Sequence, residues 1–205
     1  MRNHKRTERV YYREMGLSLR LRRKKKRPSH LRVMMEAPSR PNERWPMDFV
    51  FDQLTDGRRL KCLTLGDDFT REALEIEVGR SIRGVHVVEV LERIAAERGL
   101  PGVIVMDNGP EFTGKALDEW AVRNGVKLDF ITPGRPVENA FRESFNGRFR
   151  DECLNQHLFH DLQDAKEKIE RWRRDYNTER PHSSLNYATP AAFAEHYRST
   201  GTLDL

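Results

Sequence analysis

From residue 45 onward, apolar and polar positions fall into short runs with two periods, one of two residues and one near 3.6. Met47-Asp48-Phe49-Val50-Phe51-Asp52 alternates. This predicts a strand with Met47, Phe49 and Phe51 on one face and Asp48, Val50 and Asp52 on the other. Thr55-Asp56-Gly57-Arg58 predicts a hairpin turn, leading to a second strand over 60–65 and a third over 73–78. The period then changes. A helix is predicted from Ile82 to Arg98, with Ser81 as N-cap, Gly99 beyond its end, and Val85, Val88, Leu91 and Ala95 as its apolar face. Val103-Ile104-Val105-Met106 reads as a short buried strand. A helix over 114–124 follows, turning Leu117, Trp120 and Ala121 inward and stopped by Gly125. A fifth strand covers 127–131 and a loop covers Thr132-Pro133-Gly134-Arg135-Pro136. Two helices are then expected, over 138–157 and 162–177. In the first, Phe141, Phe145, Phe149 and Cys153 form a core stripe; in the second, Ala165, Ile169, Trp172 and Tyr176 do so. A hairpin-led sheet with later crossover helices implies an α/β fold: a mixed five-stranded sheet with helices on both faces.

Charge divides this chain of 205 residues unevenly. Residues 1–44 hold 15 Lys and Arg against 4 Glu, while the remainder holds 22 against 28 Asp and Glu. A cationic arm therefore precedes a mildly acidic body, and the arm is suited to a polyanion. Its first part, Asn3 to Met15, can form a helix with Lys5, Arg9 and Arg13 as a basic stripe. Next comes the run Arg20-Leu21-Arg22-Arg23-Lys24-Lys25-Lys26-Arg27. Like charges this dense keep the run extended until it meets phosphates, or leave it as a solvated linker. The expected division is a basic helix and linker over 1–44, a core over 45–160, and a C-terminal helix and tail completing the core over 161–205. No apolar run approaches the roughly 18 residues a membrane span needs, and the N-terminus lacks an apolar signal core. Cys62 and Cys153 stand far apart, without metal-ligand spacing. A cytoplasmic protein with no membrane contact is expected.

Candidate chemistry starts at Asp107, where a buried strand meets Asn108-Gly109-Pro110. A carboxylate so placed either begins the turn or serves as a rigid, solvent-reaching ligand. Asp48 lies inside an apolar strand. Glu143 shares a helical stripe with Asn139, Asn146 and Arg150, apart from the phenylalanines. The competitors Glu138 and Glu152 point away from Glu143 on the 100°-per-residue helix. Three converging carboxylates repel one another, and bound Mg²⁺ removes that conflict. Two such ions activate a water or hydroxyl and stabilise the leaving oxygen in phosphodiester cleavage. Asp48 would bridge them, with Asp107 and Glu143 each binding one. Asn108 is placed either to position water or DNA or to form the turn. Asn139 and Asn146 are placed to hold Glu143 or touch phosphate, and Arg142, Arg148 and Arg150 to grip the DNA backbone. His182, after Arg180-Pro181, reads as a surface or packing residue.

Thirty-five residues separate Asp107 from Glu143, and with Asp48 the set resembles the DDE triad of transposases and retroviral integrases. The wording around it is narrower. Trp45-Pro46-Met47-Asp48-Phe49-Val50, Asp67-Asp68-Phe69-Thr70-Arg71-Glu72 and Asp107-Asn108-Gly109-Pro110-Glu111-Phe112 resemble bacterial insertion-sequence transposases of the IS-three family. So do Asn139-Ala140-Phe141-Arg142-Glu143-Ser144-Phe145-Asn146-Gly147, Arg150-Asp151-Glu152-Cys153-Leu154-Asn155, and the closing Tyr176-Asn177-Thr178-Glu179-Arg180-Pro181-His182-Ser183-Ser184-Leu185 with Thr189-Pro190. The likeness runs from about residue 3 to residue 198. It implies an RNase H-like core and Mg²⁺-dependent cutting at transposon ends, with Mn²⁺ able to substitute. The freed 3′ hydroxyl would then attack another DNA phosphodiester. The implied partners are double-stranded DNA at transposon ends and target, further copies of the chain on DNA, and the product of an upstream reading frame, in a nucleoid-associated setting. Family members usually carry a longer N-terminal helix-turn-helix region, of which residues 3–17 resemble the tail. A non-catalytic DNA-binding remnant and a nuclease acting on RNA–DNA hybrids are the alternatives.

If the arm is the polyanion site, neutralising Lys24, Lys25 and Lys26 together weakens DNA binding broadly and flattens its salt dependence. Metal affinity stays unchanged. Binding isotherms across a salt series check the first outcome and calorimetry the second.

Overall fold

The computed structural model describes residues 37–131 and 140–201, with Ala140 described by its backbone alone. Lys5, Arg9, Arg13, Arg20, Arg22, Arg23, Lys24, Lys25, Lys26, Arg27, Glu138 and Asn139 lie outside the described residues. So does the Thr132–Pro136 loop.

Three strands, β1 (Arg44–Gln53), β2 (Arg59–Gly66) and β3 (Ala73–Gly79), pair antiparallel in sequence order. The first hairpin closes where expected. Gly57 takes a left-handed φ of 80°, and Leu54 N donates to Arg58 O at 2.8 Å. Helix α1 (Gly84–Arg98) then carries the chain over the sheet. β4 (Val103–Met106) therefore pairs parallel with the start of β1, and after α2 (Lys115–Asn124) β5 (Lys127–Phe130) pairs parallel with β4. The strand order is β3-β2-β1-β4-β5, a mixed sheet with β1 at its centre. Among the described residues, three helices follow: α3 (Ala140–Glu152), α4 (Leu162–Thr178) and α5 (Pro190–Thr200).

Strand alternation sorts the core into two layers. Trp45, Met47, Leu63, Leu65, Ile104 and Met106 pack with residues of α1 and α2 on one face. Val50, Cys62 and Val78 pack with Phe145 and Phe149 of α3 and Ile169 and Tyr176 of α4 on the other. Helices on both faces were expected, as were the phenylalanine stripe and the α4 stripe. The exposed edge of β3 is capped from α4, where Arg173 Nη1 donates to Ala73 O at 2.9 Å and Asn177 Nδ2 to the same oxygen at 3.0 Å. That carbonyl is thus not open to another strand.

Three details differ from the sequence reading. The buried face of α1 is Val87, Val90, Leu91 and Ile94, while Val85 is 53% exposed. Arg83, not Ser81, is the N-cap. Ile82 precedes the helix and is itself buried, so the helix starts later and docks on its neighbouring apolar stripe. Helix α3 ends at Glu152, and a 3₁₀ turn follows at Leu154–Gln156. Cys153 and Leu154 are both buried, so the chain bends to seat both. Helix α5 was expected only as tail. Its signals were present: Thr189 Oγ1 accepts from Ala192 N at 3.3 Å, Pro190 opens the helix and Gly201 closes it in a left-handed conformation. It docks through Phe193 and Tyr197 on Phe69 of the β2–β3 turn.

A buried ion pair secures the segment between β4 and α2. Lys61, 6% exposed on β2, pairs with Glu111 and lies 3.9 Å from the Phe49 ring centre. Next to it, Phe112 is fully buried and stacks on Phe49 at 4.8 Å. Burial alone would raise the Glu111 carboxyl, but the Lys61 hydrogen bond and charge hold it below the usual carboxylate value. Its stabilisation is therefore present above the unfolded-state pKa and lost as pH falls through the depressed one. Glu111→Gln leaves Lys61 charged and buried without its counter-ion. A fully buried pair broken this way costs about 3–5 kcal/mol. Because the Glu111 side chain stays 27% exposed, the expected loss is roughly 2–3 kcal/mol, read from urea denaturation at pH 7.

Candidate active site

The parallel pairing of β1 and β4 brings two carboxylates together. Arg44, Trp45 and Pro46 face Val103, Ile104 and Val105 in register. The same offset continued two residues sets Asp107 beside Asp48, just past the last residue of β4. Adjacent strands lie about 4.8 Å apart, and alternation turns both residues to the face that α3 covers. Asp107 is close enough to raise the Asp48 pKa by its charge.

Asp48 is half-buried and well held. Its Oδ1 accepts from Phe49 N at 2.9 Å, and its Oδ2 accepts from Asn146 Nδ2 at 2.7 Å. Asn146 Oδ1 in turn accepts from Thr64 Oγ1 at 3.1 Å, and Thr64 is the β2 residue opposite Asp48 in the ladder. Arg142 Nε sits 3.5 Å from Asp48 Oδ2. Burial pushes the Asp48 carboxyl above the ordinary carboxylate range, Asp107 adds to that, and Arg142, Phe49 N–H and Asn146 oppose it. Asp107 is exposed and fixed by the turn it begins, with Gly109 N donating to its Oδ1 at 2.9 Å. A Cβ at position 109 would meet that oxygen at 3.0 Å, so the glycine lets the turn close on the carboxylate. The turn-forming reading of Asp107 is thus what the structure shows, with its side chain exposed to solvent.

Glu143 lies in the first turn of α3 and is exposed. Among the described residues, no group of three or more His, Cys, Asp or Glu side chains is placed to hold a metal. The protein therefore brings Asp48 and Asp107 together and leaves Glu143 apart. Asn146, expected beside Glu143, holds Asp48 instead. Arg142, expected on the DNA-facing surface, reaches the same carboxylate. Arg148 lies with its Nε 3.4 Å from Ser144 Oγ, Arg150 is exposed, and Asn108 is exposed in the turn. Glu152 is taken up by Arg180 at 2.6 Å. His182 packs edge-on against Tyr176 at 4.9 Å, and burial, with the charges of Arg180, Arg148 and Arg71, pushes its pKa down to about 4. It is a packing residue. Thr64 escaped the sequence reading, although as the cross-strand neighbour of Asp48 it carried a signal once the hairpin register was drawn.

Two hard carboxylates side by side, one of them desolvated, are a donor set that suits a divalent cation. Glu143 does not belong to that set in this arrangement.

The family described as Integrase core domain matches residues 38–136, and a second model of that description matches residues 124–190. The chain is 52% identical over 198 residues to the uncharacterized 31.7 kDa protein of insertion element IS407 from Burkholderia multivorans, covering 97% of this chain and 71% of that protein. It is 50% identical over 197 residues to the uncharacterized 39.2 kDa protein of insertion element IS476 from Xanthomonas euvesicatoria, covering 96% of this chain and 57% of that one. Its fold is similar to the HTLV-2 integrase catalytic core domain in complex with magnesium, with a TM-score of 0.60 at 16% identity over 74% of this chain and 95% of that one.

The raised Asp48 pKa has a consequence for stability. A carboxyl whose folded pKa exceeds its unfolded value binds its proton more tightly in the native state. Stability therefore falls as pH rises from the ordinary carboxylate range through the raised value. Asp48→Asn removes that penalty. The metal-free variant is therefore expected to melt above wild type at pH 7. The gain should close below the ordinary carboxylate range. Thermal melts followed by circular dichroism across a pH series check it; a loss of several degrees would instead make Asp48 a structural residue.

Proposed function

Because the chain belongs to the bacterial insertion-sequence transposases that carry an integrase core domain, we propose that it cuts DNA at the ends of its element and joins the freed 3′ hydroxyl to another DNA phosphodiester. The wording of its motifs supports a member of the IS-three family. Its fold is that of the RNase H-like integrase cores. The observation that carries the reading is the side-by-side placement of Asp48 and Asp107 under α3, with Glu143 in that helix's first turn.

Asp48, Asp107 and Glu143 would hold Mg²⁺, two ions in all, with Mn²⁺ able to substitute. When bound, these ions would neutralise charge at the scissile phosphate and activate the attacking water or hydroxyl. The HTLV-2 integrase core of similar fold is a complex with magnesium, which supports that choice of metal. The chain's own residues do the positioning. Phe49 N–H and Asn146 fix the two oxygens of Asp48, Thr64 orients Asn146, and Gly109 N–H fixes Asp107. Arg148 and Arg150 on α3 are suited to the DNA backbone as cations along one helix, and the arm over 1–44 would add its phosphate contacts. Cleaving and joining two ends calls for more than one copy on DNA. The product of an upstream reading frame is a further proposed partner, and the bacterial nucleoid the proposed location. Among the described residues, no helix is long and apolar enough to cross a membrane.

One observation favours a second reading. Three carboxylates do not converge among the described residues, as in a chain that binds DNA without cutting it. Incubation of the purified chain with Mg²⁺ or Mn²⁺ and DNA bearing the element's ends separates the two readings. The catalytic reading expects nicking that Asp107→Asn lowers more than about 100-fold, beyond the loss an outer-shell change produces. Salt-sensitive binding without nicking is the outcome expected of the second reading, and robust nicking by Asp107→Asn removes Asp107 from the site.

A further inference from the structure

The guanidinium of Arg142 supplies a positive charge beside Asp48. Its Nε lies 3.5 Å from Asp48 Oδ2, and its Nη1 lies 3.5 Å from Met47 O. The side chain is 15% exposed. Asn146, one helical turn on, donates to the same Oδ2 while Phe49 N–H takes Oδ1. Both oxygens of Asp48 are thus engaged by the protein itself.

The docking of α3 dictates this arrangement. Phe145 and Phe149 are buried, and Phe141 lies under the Arg71 guanidinium at 5.0 Å and against Gly66, where a Cβ would come 2.9 Å from its ring. With those rings seated, the next positions round the helix, 142 and 146, fall on Asp48. Residue 143 comes 100° further round from 142 and is exposed. Arg142 on Asp48 and Glu143 at Asp48 therefore exclude one another without a change in the first turn of α3.

We propose that Arg142 is an internal counter-ion that competes with a divalent cation for Asp48 and is drawn off by a DNA phosphate, so that DNA and metal bind cooperatively through this one side chain. The guanidinium has a suitable second partner, since its planar fork matches phosphate as well as carboxylate. A DNA phosphate that takes Arg142 frees Asp48 for the cation. By linkage, a cation that displaces Arg142 offers it to DNA to the same extent. The inference rests on the metal-dependent reading above and makes Arg142 a positioning residue within it.

Mg²⁺ titrated into the full chain by isothermal calorimetry, with and without a short duplex lacking the element's ends, tests it. Without DNA, Arg142→Gln is expected to bind Mg²⁺ about 5- to 150-fold more tightly than wild type, the usual range of a coupling between sites. Arg142→Lys, which keeps a cation, stays close to wild type. The duplex tightens Mg²⁺ binding to wild type and leaves Arg142→Gln unchanged. Arg142→Met, which retains the apolar stem, replaces Arg142→Gln should thermal melts show the latter misfolded. Equal or weaker Mg²⁺ affinity in the neutral variants overturns the inference and leaves the metal reading standing. Absence of Mg²⁺ binding by every form, with and without duplex, overturns both.

Discussion

Two like charges on neighbouring parallel strands are the constraint around which this molecule is arranged. The register of β1 against β4 admits no other placement, since the offset that pairs Arg44 with Val103 also brings Asp48 beside Asp107. Strand spacing keeps them within the range where the Asp107 charge raises the Asp48 pKa. The protein answers with donors rather than distance: a backbone N–H and an asparagine amide on Asp48, a backbone N–H on Asp107, and an arginine beside the more buried of the two. Those donors come from β1 itself, from the turn after β4 and from α3, so the pair ties three segments together.

Magnitudes decide which of these contacts sets the position of α3. Burying a phenylalanine is worth about 1.5–3 kcal/mol, and Phe145 and Phe149 are both buried against Trp172 and Tyr176 of α4. The Arg142–Asp48 pair, 3.5 Å apart with side chains 15% and 20% exposed, offsets its attraction against the cost of desolvating two charges and so adds little net stability. The aromatic stripe therefore fixes the helix, and the Arg142–Asp48 contact follows from it. A contact that follows from packing can be exchanged for another without unseating the helix, provided the change stays within the first turn.

The same geometry explains how far the sequence could be read. Strand order, the Gly57 hairpin, the phenylalanine stripe and the two aspartates follow from period and turn chemistry, because each signal is local. The phase of α1 does not, since Val85, Val87, Val88, Val90 and Leu91 offer two overlapping apolar stripes and only the sheet beneath chooses between them. The relation of Glu143 to the aspartates is harder still. Its helical stripe separates correctly from the phenylalanines, and Asn146 lies only about 60° from it round the helix. That 60° divides a residue that reaches Asp48 from one in solvent. Arg142 falls between the aromatic stripe and Asn146, a place no spacing rule marks as special. Residue type alone pointed it toward DNA. Thr64 became visible only through its cross-strand register.

The three proposed ligands also differ in how firmly they are carried. Behind Asp48, the fully buried Asp67 accepts from Asn42 N at 2.8 Å and from Phe69 N and Thr70 N, which fastens the lead into β1 onto the β2–β3 turn. Behind Asp107, the Lys61–Glu111 pair and the stacked Phe112 hold the turn from its far side. Glu143 has the half-buried Phe141 as its nearby anchor, two residues away, held by a cation–π contact and the flat face of a glycine. Two carboxylates thus sit on elements that resist movement, and the third on a turn whose described contacts are the Phe141 ring and the Arg142 guanidinium. The rigid half of the site is thereby kept in register. Completing the proposed three-carboxylate site would call for moving the part that costs least to move.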